Sequence, residues 1–178
     1  IDNLNNIYIT GGFESMIDLG GLIISDFGKD IFIAKLNENG NGVWVRQTLM
    51  SGNSGGGGDL VAKSDGSSYI VGQFSGDASF GSYNISTTNA YDMFLTRYDS
   101  AGNCMGVLNF GQASSNSVCT DNSGAVYCTG AFLNTVNIGS GSFTAYFGQD
   151  VFFAKSEPLN GVPDPHRNAT INQLLIYA

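Results

Sequence analysis

Residues 68–74 read Ser-Tyr-Ile-Val-Gly-Gln-Phe (SYIVGQF), and the same pattern stands at 7–13 (IYITGGF) and 126–132 (VYCTGAF). After nearly equal gaps a second block follows each of them: DIFIAK at 30–35, DMFLTR at 92–97 and DVFFAK at 150–155. Self-similarity at a period near sixty residues marks one supersecondary unit in tandem, each copy burying its apolar faces against the next. The copies align residue by residue. Tyr8, Tyr69 and Tyr127 coincide, as do Gly11, Gly72 and Gly130, then Phe13, Phe74 and Phe132, then Gly20, Gly81 and Gly139, at offsets of 61 and 58. One residue is gained before the next block, after which Asp30, Asp92 and Asp150 align, with Phe32, Phe94 and Phe152 two positions on. Every block closes on a base, Lys35, Arg97 or Lys155.

Each block reads as a short strand, rich in Ile, Val, Phe, Tyr and Thr and bounded by Gly, Asn, Asp and Ser. The runs Ile31-Phe32-Ile33, Met93-Phe94-Leu95 and Val151-Phe152-Phe153 are apolar on both faces of a strand, so both faces must be covered. Asn39-Gly40-Asn41-Gly42, Asp65-Gly66, Asp99 to Asn103 and Asn122-Ser123-Gly124 are turn sequences that join hairpins. No amphipathic helical stretch of useful length interrupts them. About four strands are expected per copy, for example 59–63, 68–74, 78–86 and 91–98, the strand number of one propeller blade. The expected fold is all-β: a β-propeller-like array of about three four-stranded antiparallel blades, either a partial propeller or part of a larger one.

These residues resemble the bacterial β-propeller repeats known as SBBP repeats. Members of that family carry a Tyr-x-Thr-Gly-x-Phe block, a Phe-Gly segment, an Asp-x-Phe-x-Ala-Lys block and an Asp/Asn-rich Gly-Asn turn. The matches are Tyr8 to Phe13, Tyr69 to Phe74 and Tyr127 to Phe132; Phe80-Gly81; Asp30 to Lys35, Asp92 to Arg97 and Asp150 to Lys155; and the turns at 37–42 and 99–103. The likeness covers roughly residues 5–157. It implies a scaffold or binding module of a secreted or surface protein and is silent on chemistry.

The array divides into repeats at about 1–58, 59–114 and 115–157, followed by a tail, 158–178, that holds all three prolines, Pro158, Pro163 and Pro165. Proline removes ladder donors, so the regular repeat is expected to end there. The last run, Gln173 to Tyr177, reads either as a closing strand or as the start of a sorting-domain linker, since LLIY resembles the opening of the C-terminal sorting segment of type IX secreted proteins of Bacteroidetes. Propellers need about four to eight blades, so three copies leave open edges. Further blades of a longer parent, another chain, or a partner strand are expected to cover them, and a start at Ile1-Asp2 without Met fits a fragment or processed product.

A net charge of −8 with only seven Lys and Arg argues against nucleic acid and anionic membrane as partners. No run of about 18 apolar residues is present, so no transmembrane helix is expected. The three strand-end bases are expected to pair with Asp30, Asp92 and Asp150 or to sit on a solvated blade edge. Cys104, Cys119 and Cys128 lack metal-ligand spacing. Cys119 and Cys128 flank a turn and are read as buried free thiols, a disulfide being the alternative.

No catalytic, metal or cofactor site is expected. His166 is the single histidine and has no local nucleophile motif. Asn37 to Gly42 mimics the start of a calcium loop, but Thr48 stands where the bidentate Glu belongs. Gly55 to Gly58 lacks the Lys and helix of a phosphate loop and reads as a flexible link between blades. Asp18, Asp30, Asp92 and Asp150 could be paired for glycoside hydrolysis, but recurrence of the last three favours a structural role. The expected function is a non-catalytic module at the bacterial surface or outside the cell, mediating protein–protein or adhesion contacts. The alternative is a glycan-binding or glycan-processing domain that uses loop aromatics such as Tyr83, Tyr91 or Tyr146.

Overall fold

A computed structural model of the chain describes residues 1–52, 55–138, 141–156, 158, 159 and 171–177. The first repeat forms β1 (Ile7–Asp18), β2 (Ile23–Leu36) and β3 (Gly42–Met50). The second forms β4 (Gly56–Ala62), β5 (Ser68–Phe74), β6 (Asp77–Phe80), β7 (Tyr83–Ser86), β8 (Asp92–Tyr98) and β9 (Cys104–Asn109). The third forms β10 (Ala113–Thr120), β11 (Val126–Ile138) and β12 (Gly141–Ser156), and the tail adds β13 (Ile171–Tyr177). They build three antiparallel sheets: a first of order β1-β2-β3-β6-β7, a central one of β4-β5-β8-β9 and a third of β10-β11-β12-β13. The all-β antiparallel expectation is met, and the described strands close neither a barrel nor a propeller ring.

The aligned blocks meet on the same rungs in all three repeats. Tyr8 faces Lys35, Tyr69 faces Arg97 and Tyr127 faces Lys155; Gly11, Gly72 and Gly130 face Phe32, Phe94 and Phe152. A phenyl ring lying across the facing glycine fills the space that its missing side chain leaves. Alternation along the strands then sends Ile31 and Ile33 to one face of the first sheet and Phe32 to the other. One core lies between the first and central sheets (Tyr8, Ile31, Ile33, Trp44, Ile70, Phe94, Tyr98) and another between the central and third (Tyr69, Val71, Met93, Leu95, Phe110, Phe132, Phe152). The central sheet is therefore covered on both faces, as its uninterrupted apolar strands require.

Residues 78–86, read above as one strand, form the hairpin β6–β7 turned at Gly81 (φ 65°), and the fourth strand of the central sheet is β9. That hairpin joins the first sheet instead of its own: β6 pairs with the end of β3, Leu49 opposite Ser79 and Met50 opposite Ala78. The departure point is a left-handed residue that recurs at matched positions, Ser15 (φ 71°), Gly76 (φ 68°) and Asn134 (φ 62°). In the first and third repeats the same residue marks a register shift within one long hairpin.

Gly56 to Gly58 belong to β4, a correction to the flexible link expected there. The cause is crowding at the inner edge of the sheets. A Cβ at Gly57 would stand 2.1 Å from the Thr10 hydroxyl of β1, and one at Gly58 would stand 2.6 Å from that of Ser115 in β10. Glycine is what lets three strands converge there.

In the tail, β13 pairs with β12, Ile176 opposite Phe152. Gly139, Pro163, Pro165, His166 and Ala178 lie outside the described residues.

Candidate functional site

The polar residues that the repeat places in register are the natural place to look for chemistry. Over each aligned tyrosine lies the aligned base: Lys35 Nζ is 5.1 Å from the Tyr8 ring centroid, Arg97 Cζ 5.7 Å from that of Tyr69, and Lys155 Nζ 5.3 Å from that of Tyr127. These are cation–π distances. The pairing of bases with Asp30, Asp92 and Asp150 expected above is not found. Five residues along a strand is roughly 16 Å and the opposite face, so aspartate and base of one block cannot meet.

In the first repeat the base also reaches a carboxylate. Lys35 Nζ lies 3.3 Å from Asp2 Oδ2, both side chains buried. Burial works to raise the Asp2 pKa, but hydrogen bonds from the Asn6 amide, the backbone of Asn6 and Leu4, and Lys35 outweigh it and hold this carboxyl far below the usual range. Burial disfavours the Lys35 ammonium, while Tyr8 and Asp2 more than compensate and keep its pKa raised. The Tyr8 hydroxyl shares its proton between Asp2 Oδ2 at 3.1 Å and the Gly66 carbonyl of the second repeat at 2.8 Å. Asp121, which stands six residues before Tyr127 as Asp2 does before Tyr8, accepts from that tyrosine at 2.8 Å. The hydroxyls of Ser123 and Tyr127 draw its pKa down to about 2.

The aligned aspartates have a different task. Buried Asp30 accepts from Gln47 Nε2 at 2.7 Å and from the Met50 amide at 3.0 Å; buried Asp92 accepts from Asn109 Nδ2 at 2.9 Å and Asn89 Nδ2 at 2.7 Å. Each therefore ties the second strand of its block to the next one. Gln47 and Asn109 occupy the same register, opposite Phe32 and Phe94, where the third repeat has Ile176. Half-buried Asp150 accepts from the Tyr146 amide instead. Burial raises the Asp30 pKa, assisted by neighbouring Asp26, whose own is lowered by the Gly28 amide and by Asp30.

A third group of polar residues stitches one repeat to the next. Trp44 Nε1 donates to the Ser100 carbonyl at 3.1 Å, and Arg46 to the carbonyls of Gly102 at 2.7 Å and Ala101 at 3.0 Å. Arg97 Nη1 donates to Leu159, the counterpart of Ala101, at 2.9 Å. Asp59 Oδ2 accepts from the Ser117 hydroxyl at 2.7 Å and the Val118 amide at 2.8 Å. Asp59→Ala strands the Val118 amide and is expected to cost about 2 kcal/mol in urea unfolding; a loss below a quarter of that would mean the contact between these repeats is carried elsewhere.

The pH dependence follows from the same carboxylates. Asp2, Asp59, Asp65, Asp99 and Asp121 all have lowered pKa values in the folded chain. Their stabilisation is complete above the unfolded carboxylate value of about 3.9 and is lost as pH falls through the lower folded values. Asp26, lowered too, adds to the five, and Asp30, raised, acts with the opposite sign as one group against six. The urea midpoint is expected to be flat from neutrality to about pH 5 and to drop steeply below about pH 4, and an unchanged midpoint at pH 3 would contradict the hydrogen-bond assignments.

The other expected sites resolve as follows. Asn37 Oδ1 accepts the amides of Asn39 and Asn41, both at 3.0 Å, so the calcium-loop mimic is a hairpin turn; Asp99 Oδ1 does the same for Ala101 and Asn103. Cys119 lies opposite Tyr127 and Cys128 opposite Val118, which sends the two thiols to opposite faces, the first exposed and the second buried. All three cysteines are free, and burial, with Cys119 nearby, pushes the Cys128 thiol up to about 12. Asp18 accepts the Gly21 amide within its turn. Among the described residues no group of three His, Cys, Asp or Glu could hold a metal ion. Of the loop aromatics, Tyr83 packs against the first core, Tyr91 is half-buried, and Tyr146 is 80% exposed. A polar cleft of about 430 Å³ is lined by Asp77, Ser86, Thr87, Thr88, Asn89 and Asp92.

Three sets of residues escaped sequence reading: Gln47 with Asn109, Asp2 with Asp121, and the stitching residues Trp44, Arg46 and Asp59. The first two carried a signal, since Gln47 and Asn109 each stand fifteen residues after the aligned phenylalanine and Asp2 and Asp121 each six before the aligned tyrosine. The stitching residues are not repeated and carried none. No protein-family model matches the chain, and no curated protein matches it either.

Proposed function

We propose that this chain is a non-catalytic scaffold: a propeller-like array of repeats, of the SBBP type, from a secreted or cell-surface bacterial protein, whose surface engages other protein chains. The observation that carries this reading is the employment of the repeated polar residues. Asp30 and Asp92 hold neighbouring strands, and Lys35, Arg97 and Lys155 lie over tyrosines. Residues spent in this way, the bases in all three repeats and the aspartates in the first two, are fittings of a framework. The propeller element is supported by the convergence of β1, β4 and β10 at a glycine-lined inner edge with sheets stacked face to face around it.

The test sets the chain on a glycan array and against a panel of glycoside substrates, beside photo-crosslinking on the surface of a secreting bacterium. No glycan signal, no turnover and crosslinks to protein are expected. Glycan binding that disappears in Tyr146→Ala would overturn the scaffold reading in favour of a lectin.

A further inference from the structure

Each sheet has two unlike faces. The face toward the next repeat carries the tyrosine–base rung and two apolar residues of the second strand: Tyr8 with Ile31 and Ile33, Tyr69 with Met93 and Leu95, Tyr127 with Val151 and Phe153. The face toward the preceding repeat carries the glycine-covering phenylalanine and its neighbours: Phe32 with Ile9 and Leu36, Phe94 with Ile70 and Tyr98. Within the molecule the first kind of face packs on the second kind between the first and central sheets, and the same forward face of the central sheet is buried against the third.

At the two ends of the stack one face of each kind is left over. On the forward side Val151 is 48% exposed, whereas its counterparts Ile31 and Met93 are 3% and 0% exposed. Phe153 beside it is half-buried, with its ring 5.6 Å from that of Tyr127. On the backward side Ile9 and Leu36 are half-buried, whereas Ile70 and Tyr98 are covered by the first sheet. The hairpin of β1 and β2 folds Leu19, Ile17 and Ile24 over Phe32 and Phe13, as the β6–β7 hairpin covers the neighbouring core with Phe80 and Ile85.

We infer that the outer face of the first sheet is a docking surface for the outer face of the third sheet of a second copy of this chain, joined head to tail. The occupant follows from the chain itself: it carries both halves of an interface that its own repeats already form internally. The polar register of the first of the two internal contacts points the same way; at the second, the matched Tyr69 hydroxyl makes no such bond to Gly124. Tyr8 meets the carbonyl of Gly66, which lies in the left-handed region at φ 77°, and the matched residue in the turn that a second copy would offer to Tyr127 is Asn5, left-handed at φ 59°. Such an interface is heterologous, forward face on backward face. The inference rests on the scaffold reading for the class of partner, a protein sheet, and names which sheet it is.

Sedimentation velocity over a wide concentration range, on the full chain, tests it with Val151→Arg and Leu36→Lys. The wild-type chain is expected to sediment as a dimer or larger, each variant alone as a monomer, and an equimolar mixture of the two variants as a dimer. The mixture assembles because one member keeps an intact forward face and the other an intact backward face. Val151 is exposed, so its variant keeps the fold, verified by thermal melting. A wild-type monomer at every concentration, or a Val151→Arg assembly of unchanged mass, would overturn the inference. So would a mixture that stays monomeric, since that is the result for an interface in which like meets like. None of these outcomes touches the glycan-array result, so a failed docking surface and a failed scaffold reading are told apart.

Discussion

Phe94→Ala is expected to destabilise the chain by about 3–5 kcal/mol, lowering the melting temperature by on the order of 10 °C. Phe94 is 0% exposed and belongs to the core between the first and central sheets. Its ring lies 4.8 Å from that of Phe80 and across from Gly72. Removing it opens a cavity that two sheets and the β6–β7 hairpin would have to collapse together, and their antiparallel ladders hold them apart. The aligned Phe32→Ala provides the control. Within one chain Phe32 is covered by the β1–β2 hairpin alone, with no second sheet behind it, so at concentrations where the chain is monomeric its cavity can collapse or open more easily, and about half the loss is expected. Urea unfolding of both variants decides the matter; equal losses would mean that the central sheet is no better packed than the first.

Gly72→Ala is the second large effect, and its logic is the reverse, overfilling in place of emptying. A Cβ at Gly72 would stand 2.2 Å from the Gly56 carbonyl oxygen and 2.6 Å from the Phe94 ring. The obstacle on one side is backbone of a paired strand, which cannot step aside without breaking the β4–β5 ladder. A loss of about 3 kcal/mol is expected, at the upper end for an overpacked core. At Gly11, the same position of the first repeat, a Cβ meets only the Phe32 ring at 3.2 Å. Gly11→Ala is therefore expected to cost under about 1 kcal/mol. Two aligned glycines with one substitution separate the demand of the strand neighbour from that of the ring; a costly Gly11→Ala would shift the blame to the ring alone.

The sequence displayed the repeat, and the repeat carried most of the architecture. Aligned positions proved to be cross-strand partners, which is why a pattern read along one dimension predicted strands apolar on both faces. What the alignment could not display was where a strand, once made, would go. The segment 75–91 is the counterpart of 14–29, yet in the second repeat the residues after Gly76 pair with β3 of the preceding sheet while in the first they continue the hairpin of β1 and β2. The aligned positions are the same in both repeats, so the alignment is compatible with both courses. The glycine tract was misread for a related reason. Composition signals freedom, whereas Gly57 and Gly58 are there because the chains on either side leave no room for anything larger. The strand-end bases do not meet the aspartates of their own blocks, one of the two arrangements expected for them, because an odd spacing along a strand puts aspartate and base on opposite sides of the sheet.

The excursion of β6–β7 has one more consequence. The unit that was duplicated in the gene and the unit that is complete in space are out of phase. A cut in the chain between β3 and β4 respects the former and violates the latter: it would strip the first sheet of two of its five strands and leave the second repeat with a hairpin that has lost its berth. Separating the first repeat from the second would thus yield two incomplete objects, and along residues 7–109 no boundary keeps each sheet whole; the first that does lies between β9 and β10.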